Sequence, residues 1–179
     1  MITVVCTTAL LAVGCGGTDE AAPPAATTTM SVTAAEAPPQ PGAPVPEQLN
    51  FTARTVDGAE FAGASLAGKP AVLWFWAPWC PTCQREAPGV AAAARANSDV
   101  RFVGVAALDQ EPAMRAFVGD YDLGFFPNLA DVDGQVWQKF GVTAQPAYAF
   151  VGADGEVEVW RGTLDEAELA SRIAQLDRG

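Results

Sequence analysis

Histidine is absent from this chain of 179 residues, and cysteine occurs only four times. These shortages bear first on metal, because a structural zinc needs four nitrogen or sulfur ligands. Cys6 and Cys15 lie in the extreme N-terminus, so Cys80 and Cys83 cannot complete such a site within one chain. Basic residues are also scarce: ten Lys and Arg stand against 21 Asp and Glu, for a formal net charge of -11 and a pI near 4.2. That balance argues against nucleic acid as a partner and against anionic lipid bound through basic patches. The acidity reads as a solvated surface. The apolar stretch Ile2 to Val13 is too short to span a bilayer as a mature helix.

What is present in strength is one element. The run Ala71-Val72-Leu73-Trp74-Phe75-Trp76 is short, β-branched and aromatic, with Lys69-Pro70 before it and Pro78 after it, and it predicts a buried central strand. Trp79-Cys80-Pro81-Thr82-Cys83 follows. Pro81 suits the first position of a helix, where no N–H is needed and φ is already helical. Cys80 then sits at the helix mouth, where unpaired N–H groups and the dipole favour an anion. A thiolate is such an anion, which makes Cys80 the nucleophile, and Cys83, one turn further in, is placed to attack a mixed disulfide formed there. A permanent structural disulfide is the plainer alternative, but a two-residue spacer closes a tiny loop and contributes little through chain entropy. The spacing and context predict redox chemistry.

Residues 1–15 read as an export signal, with Ile2 to Val13 as its apolar core. Leu11-Ala12-Val13-Gly14-Cys15 resembles the lipobox of bacterial lipoproteins, which implies cleavage before Cys15 and lipid on its sulfur. Ala12 stands where that motif carries Leu, and no Lys or Arg precedes the apolar core. A start at Met30 would leave a cytosolic protein. Under the lipoprotein reading Cys6 leaves with the signal, Cys15 carries lipid, and Cys80 and Cys83 form the only free pair, in an oxidising compartment.

Residues 16–46 are rich in Ala, Thr and Pro and predict a disordered, partly extended tether. Residues 47–179 carry globular patterning. Phe51–Arg54 and Ala59–Phe61 flank Asp57-Gly58, a hairpin signal, and Ser65–Gly68 reads as a turn. A helix is expected from Cys80 to Ala96, kinked at Pro88, then a buried strand Val100–Ala106. A helix from Pro112 to Tyr121 should bury Met114, Phe117 and Val118. A helical turn Gln135–Phe140 and antiparallel strands Ala147–Val151 and Glu156–Trp160 complete the pattern, before a last helix capped by Asp165 and running to Leu176. The order implies an α/β three-layer sandwich on a mixed central sheet, with an N-terminal β-hairpin extension.

Gly68 through Cys83, together with Gly141-Val142-Thr143-Ala144-Gln145-Pro146-Ala147-Tyr148, resembles the thioredoxin superfamily. The likeness lies in its extracytoplasmic TlpA-like and Dsb-type thiol–disulfide oxidoreductases, with the DsbE- and DsbF-type proteins of actinobacteria nearest, and it spans about Val45 to Leu176. The resemblance implies a thioredoxin-like fold with no cofactor and no metal. It makes Cys80 an exposed nucleophile, Cys83 a buried resolving thiol and Pro146 a cis-proline facing them, with a strand-entry proline as the plainer reading of Pro146. Gln145 would pair its backbone with an extended substrate, and Trp79, Pro81 and Thr82 would flank the site. Glu86 matches an acidic residue that handles protons at the cysteines, and reads equally well as a solvated glutamate stabilised by the helix dipole. Trp74 stands where thioredoxins carry a buried aspartate, which leaves Glu86 or water as proton acceptor. Trp74, Trp76, Phe75 and Tyr148 read as core. A peroxidatic cysteine is weakly supported, since Ala77 occupies the place of the expected threonine.

Oxidase and reductase share these residues. The likeness favours an oxidase that installs disulfides in unfolded or reduced exported proteins, and a membrane or extracytoplasmic redox partner would reset the pair. A reductase serving cytochrome c maturation or disulfide correction is the alternative. A lipid-anchored binding module with a structural disulfide is a third.

Overall fold

The computed structural model describes residues 45–176, so the expected signal segment 1–15 with its Cys15, the tether up to residue 44, and residues 177–179 lie outside the described residues. In chain order the elements are β1 (Thr52–Arg54), β2 (Glu60–Ala62), β3 (Ala71–Trp76), α1 (Pro81–Ala96), β4 (Arg101–Ala106), α2 (Glu111–Asp120), β5 (Asn128–Ala130), α3 (Gln135–Lys139), β6 (Ala147–Val151), β7 (Val157–Arg161) and α4 (Glu166–Leu176). β1 and β2 form the expected hairpin as a separate two-stranded sheet. Its turn rests on Gly58 at φ 85°, in the left-handed region that glycine adopts without steric cost.

The main sheet has the order β5-β4-β3-β6-β7. β3 runs parallel to β4 and antiparallel to β6, which makes it the central strand of a mixed sheet. All six of its residues are buried, as an unbroken apolar run covered on both faces requires. Val72, Trp74 and Trp76 face a layer built from α1, α2 and α4. Leu73 and Phe75 face the opposite layer, where α3, Leu49, Leu66 and the hairpin close the core. The rings of Trp74, Trp76 and Phe117 pack together, with Trp76 and Phe117 stacked at 4.2 Å between centroids. Helices therefore cover both faces of the sheet, in the expected three layers.

Most element bounds agree with the sequence pattern, and the differences have local causes. Asp165 caps α4 by accepting the Glu168 N–H at 2.8 Å, and α1 continues unbroken through Pro88. The expected 65–68 turn is present at Ala67-Gly68 but is entered through a 3₁₀ turn over Gly63–Leu66, and β7 begins one residue later than expected, at Val157. β5 was not expected at all. It is a three-residue edge strand paired to β4, and the buried Asn128 within it donates to the Leu123 and Phe126 carbonyls, tying down the loop that precedes it. Asp131, also buried, caps α3 by accepting the N–H groups of Val136 and Trp137.

Candidate active site

β3 ends at Trp76, and the turn Ala77-Pro78-Trp79 delivers Cys80 to the N-cap of α1. The Cys80 N–H donates to Ala77 O at 3.1 Å and its own carbonyl accepts from Gln84 N–H. The Gln84 side chain reaches back to Pro78 O at 3.0 Å, which fixes the turn to the helix. At the cap the Cys83 N–H donates to Cys80 Sγ at 3.1 Å. Cys80 Sγ thus accepts an otherwise unpaired helix N–H at the positive end of the helix dipole.

Both cysteines are free thiols, and both are buried. This corrects one expectation: Cys80 is only 4 % exposed. The neighbouring Trp79, half exposed, stands over the turn with its indole N–H donating to Leu108 O at 3.0 Å. Cys83 is fully enclosed, and its thiol is pushed well above the ordinary cysteine range. Burial is the main cause, followed by the hydrogen bond to Cys80 and the charges of Cys80 and Glu86, against which a hydrogen bond with the Ala77 backbone acts. Cys83 is therefore held as a protonated thiol whose departure as a thiolate requires a nearby proton acceptor or donor.

The Gln145–Pro146 bond is cis. Pro146 is buried immediately ahead of β6, and the pairing of Phe75 with Ala147 carries it to the end of β3 from which Cys80 hangs. Its carbonyl is taken by the Gly162 N–H. Gln145 is half-buried and Pro81 exposed. Thr82 is turned to its own helix, where its Oγ1 accepts from Arg85 at 3.0 Å.

Glu86 is neither an ordinary solvated side chain nor isolated. Its Oε2 accepts the Tyr148 O–H at 2.9 Å, and its Oε1 accepts the Leu164 N–H at 3.1 Å. Half-burial raises its carboxyl above the ordinary 4.5, and these two bonds, with Trp74 and Arg85, hold the rise back. The Trp74 N–H has no acceptor within hydrogen-bond geometry, so Trp74 acts on the carboxylate through proximity rather than a formed bond. On its outer side Glu86 lines a groove of about 290 Å³ with Arg85, Gly89, Leu164 and Asp165. Tyr148, expected as core, is indeed 1 % exposed, but its hydroxyl makes it part of this cluster. Burial and the adjacent Glu86 hold that hydroxyl protonated far above its usual range.

A family model described as the AhpC/TSA family matches residues 41–160. The chain belongs to the AhpC/TSA family. Among curated relatives of this family member is the soluble secreted antigen MPT53 of Mycobacterium tuberculosis, 49% identical over 133 residues, which are 73% of this chain and 76% of that protein. Among solved structures, MTB DsbF in mixed oxidised and reduced forms matches with a TM-score of 0.73 and 59% identity, over 74% of this chain and 99% of that one. A secreted Mycobacterium tuberculosis disulfide oxidoreductase homologous to E. coli DsbE matches with a TM-score of 0.69 and 48% identity, over 72% and 98%. The AhpC/TSA member described here is thus a thioredoxin-like thiol–disulfide oxidoreductase of the DsbE and DsbF type.

Proposed function

We propose that the protein is an oxidase: with Cys80 and Cys83 joined as a disulfide, it accepts two electrons from a pair of thiols in an unfolded exported protein. A substrate thiolate attacks Cys80 Sγ, and the Cys80–Cys83 bond breaks. Cys83 leaves with the electron pair and takes a proton, because burial disfavours its thiolate. The second substrate thiolate attacks the substrate sulfur of the mixed disulfide and expels Cys80 as a thiolate. The substrate gains a disulfide and the protein becomes a dithiol, which a membrane or extracytoplasmic partner of the same exchange chemistry returns to the disulfide.

Glu86 supplies and removes the Cys83 proton. Its charge acts on that thiol, its carboxyl is poised above the usual range, and its groove gives it a path to water. Trp79, Pro81, Thr82, Gln145 and Pro146 border the place where the substrate chain lies, with Gln145 offering backbone to an extended segment.

The observation that carries the direction is the Cys83 N–H to Cys80 Sγ bond. A free Cys80 sulfur is a better acceptor for this N–H than a disulfide sulfur, so the bond favours the reduced pair, and a stabilised reduced form is what makes a dithiol protein an oxidant. The measurement that tests it is the reduction potential against glutathione. A value well above about −250 mV supports the oxidase, and one below about −250 mV overturns it in favour of a reductase.

Export accords with the description of MPT53 as secreted. Anchoring rests on Leu11–Cys15, with Cys15 as the lipid-bearing residue and residues 16–46 as the spacer between membrane and domain.

A further inference from the structure

Trp74 carries a buried polar atom without a partner. The residue sits in the middle of β3 at 1% exposure, and its indole N–H reaches no acceptor. A buried donor left unmade is costly enough to need a reason. The indoles of Trp79, Trp137 and Trp160 donate to the carbonyls of Leu108, Val105 and Thr163. Trp76, the other one without a bond, lies over Gly104 beside the Asn128 side-chain oxygen. Trp74 has a different neighbour. It pairs with Tyr148 across β3 and β6, so the two side chains leave the same face of the sheet, towards α1. Tyr148 gives its O–H to Glu86 Oε2, and the indole of Trp74 lies close enough to the same carboxyl to favour its charged form. The rings packed on Trp74, those of Trp76 and Phe117, offer no oxygen in its place.

The carboxyl uses a further donor best in its ionised form, which has about four lone-pair sites. The Tyr148 O–H and the Leu164 N–H fill two of them, which leaves space for a third. An N–H bond to a charged oxygen is about twice as strong as a neutral one, so a protonated Glu86 holds the indole more weakly. The charged and titratable groups that face this carboxyl are Cys83 and Arg85 from α1, Tyr148 from β6, and Asp165 and Glu166 at the start of α4. Arg85 stays positive throughout, and burial keeps Cys83 and Tyr148 protonated through neutral pH. β3 has no titratable side chain to send, only this indole.

We propose that Trp74 is a positioning residue for the proton step, its indole N–H closing on the Glu86 carboxylate whenever Glu86 has given its proton to Cys83. As the Cys80–Cys83 bond breaks, the Cys83 sulfur keeps the electron pair and the Glu86 proton moves onto it. The carboxylate left behind is then held by three donors: Tyr148, Leu164 and Trp74. When a proton returns from water along the groove beside Glu86, the indole lets go. This rests on the reading of Glu86 as carrier of the Cys83 proton, and deepens it by naming the group that steadies the carrier once it is charged.

Nuclear magnetic resonance of the indole N–H groups, in the reduced full chain across the acid-to-neutral range, follows this contact directly. The Trp74 signal should move downfield as Glu86 ionises, with the same midpoint as the Glu86 carboxyl signal. In Glu86→Gln it should stay fixed, and the Trp76 signal should stay fixed in both proteins. Exchange rates with dithiothreitol supply the second arm. A hydrogen bond to a charged group is worth about tenfold or more, so Trp74→Phe should slow exchange by about tenfold. Added to Glu86→Gln, the same substitution should change the rate by less than about twofold, because members of one network do not act additively. A purely structural indole would slow both backgrounds alike. If Trp74→Phe does not fold, the signals alone decide. A Trp74 signal that stays fixed while Glu86 titrates, a movement that persists in Glu86→Gln, or equal slowing in both backgrounds overturns the proposal and leaves Glu86 as the proton carrier. A pH–rate profile unchanged in Glu86→Gln overturns that reading and the proposal with it.

Discussion

Replacing Glu86 by glutamine tests the proton-handling part of the mechanism with little damage to the fold. The amide has the shape of the carboxyl group, so its oxygen keeps the Leu164 N–H, and the Tyr148 hydroxyl can rotate to accept from the new NH₂. The loss is then about 0.5–1.5 kcal/mol, the net worth of one hydrogen bond. The pH dependence has a definite sign. Glu86 in the folded protein binds its proton more tightly than the ordinary 4.5, chiefly through burial. The unsubstituted protein therefore loses stability relative to Glu86→Gln as pH rises from about 4.5 through the folded-state value, and the difference is constant on either side. The kinetic effect is larger. A positioned acid–base group typically contributes 10²- to 10⁴-fold, and the groove beside Glu86 admits water that competes with it. The lower end applies, about 10²-fold slower exchange near neutral pH. Stopped-flow fluorescence of the half-exposed Trp79 reports the reaction, and rates across about pH 5 to 9 give the profile. An identical pH–rate profile in the two proteins would refute this reasoning and return Glu86 to a structural bond between α1 and the segment before α4.

Tyr148→Phe keeps a buried ring stacked near Phe150 and removes the donor to Glu86. The carboxyl then rises further, and the limb of the pH–rate profile that belongs to Glu86 moves to higher pH; a limb that stays in place contradicts the assignment. Asp131→Ala leaves two N–H groups of α3 uncapped and should lower stability to urea by about 1–2 kcal/mol without changing exchange with dithiothreitol. A changed exchange rate there would couple α3 to the site, which this account does not allow. Cys80→Ser should abolish exchange with dithiothreitol, and residual exchange would place the nucleophile elsewhere.

The parts of the fold written in consecutive residues were legible: the apolar run of β3, Pro81 at the start of α1, Asp165 at the start of α4, and Asp57-Gly58 in the hairpin. β5 was not, because Asn128-Leu129-Ala130 follows a proline, is three residues long and contains a buried asparagine. Its identity as a strand comes from the free edge of β4, and its asparagine NH₂ is taken by loop carbonyls that no local pattern announces. The site divides in the same way. The Cys80–Cys83 spacing is local, whereas Glu86 and Tyr148 lie 62 positions apart and meet because β6 pairs beside β3 under α1. An aromatic residue in a buried strand reads as core, and its hydroxyl was the one signal that it needed a partner. Burial of Cys80 was likewise invisible, since it depends on how the turn Ala77-Pro78-Trp79 folds over the cap.

The central claim is that Cys80 is the sulfur that forms the mixed disulfide with the substrate and Cys83 is its buried exchange partner. Cys83→Ser in the full chain, incubated with a reduced and re-oxidised extract of exported proteins and resolved without reducing agent, tests it directly. Mixed disulfides that vanish on adding dithiothreitol, and that are absent from the double variant Cys80→Ser, Cys83→Ser, are the predicted result. No trapped species, or the same species in the double variant, would contradict the claim.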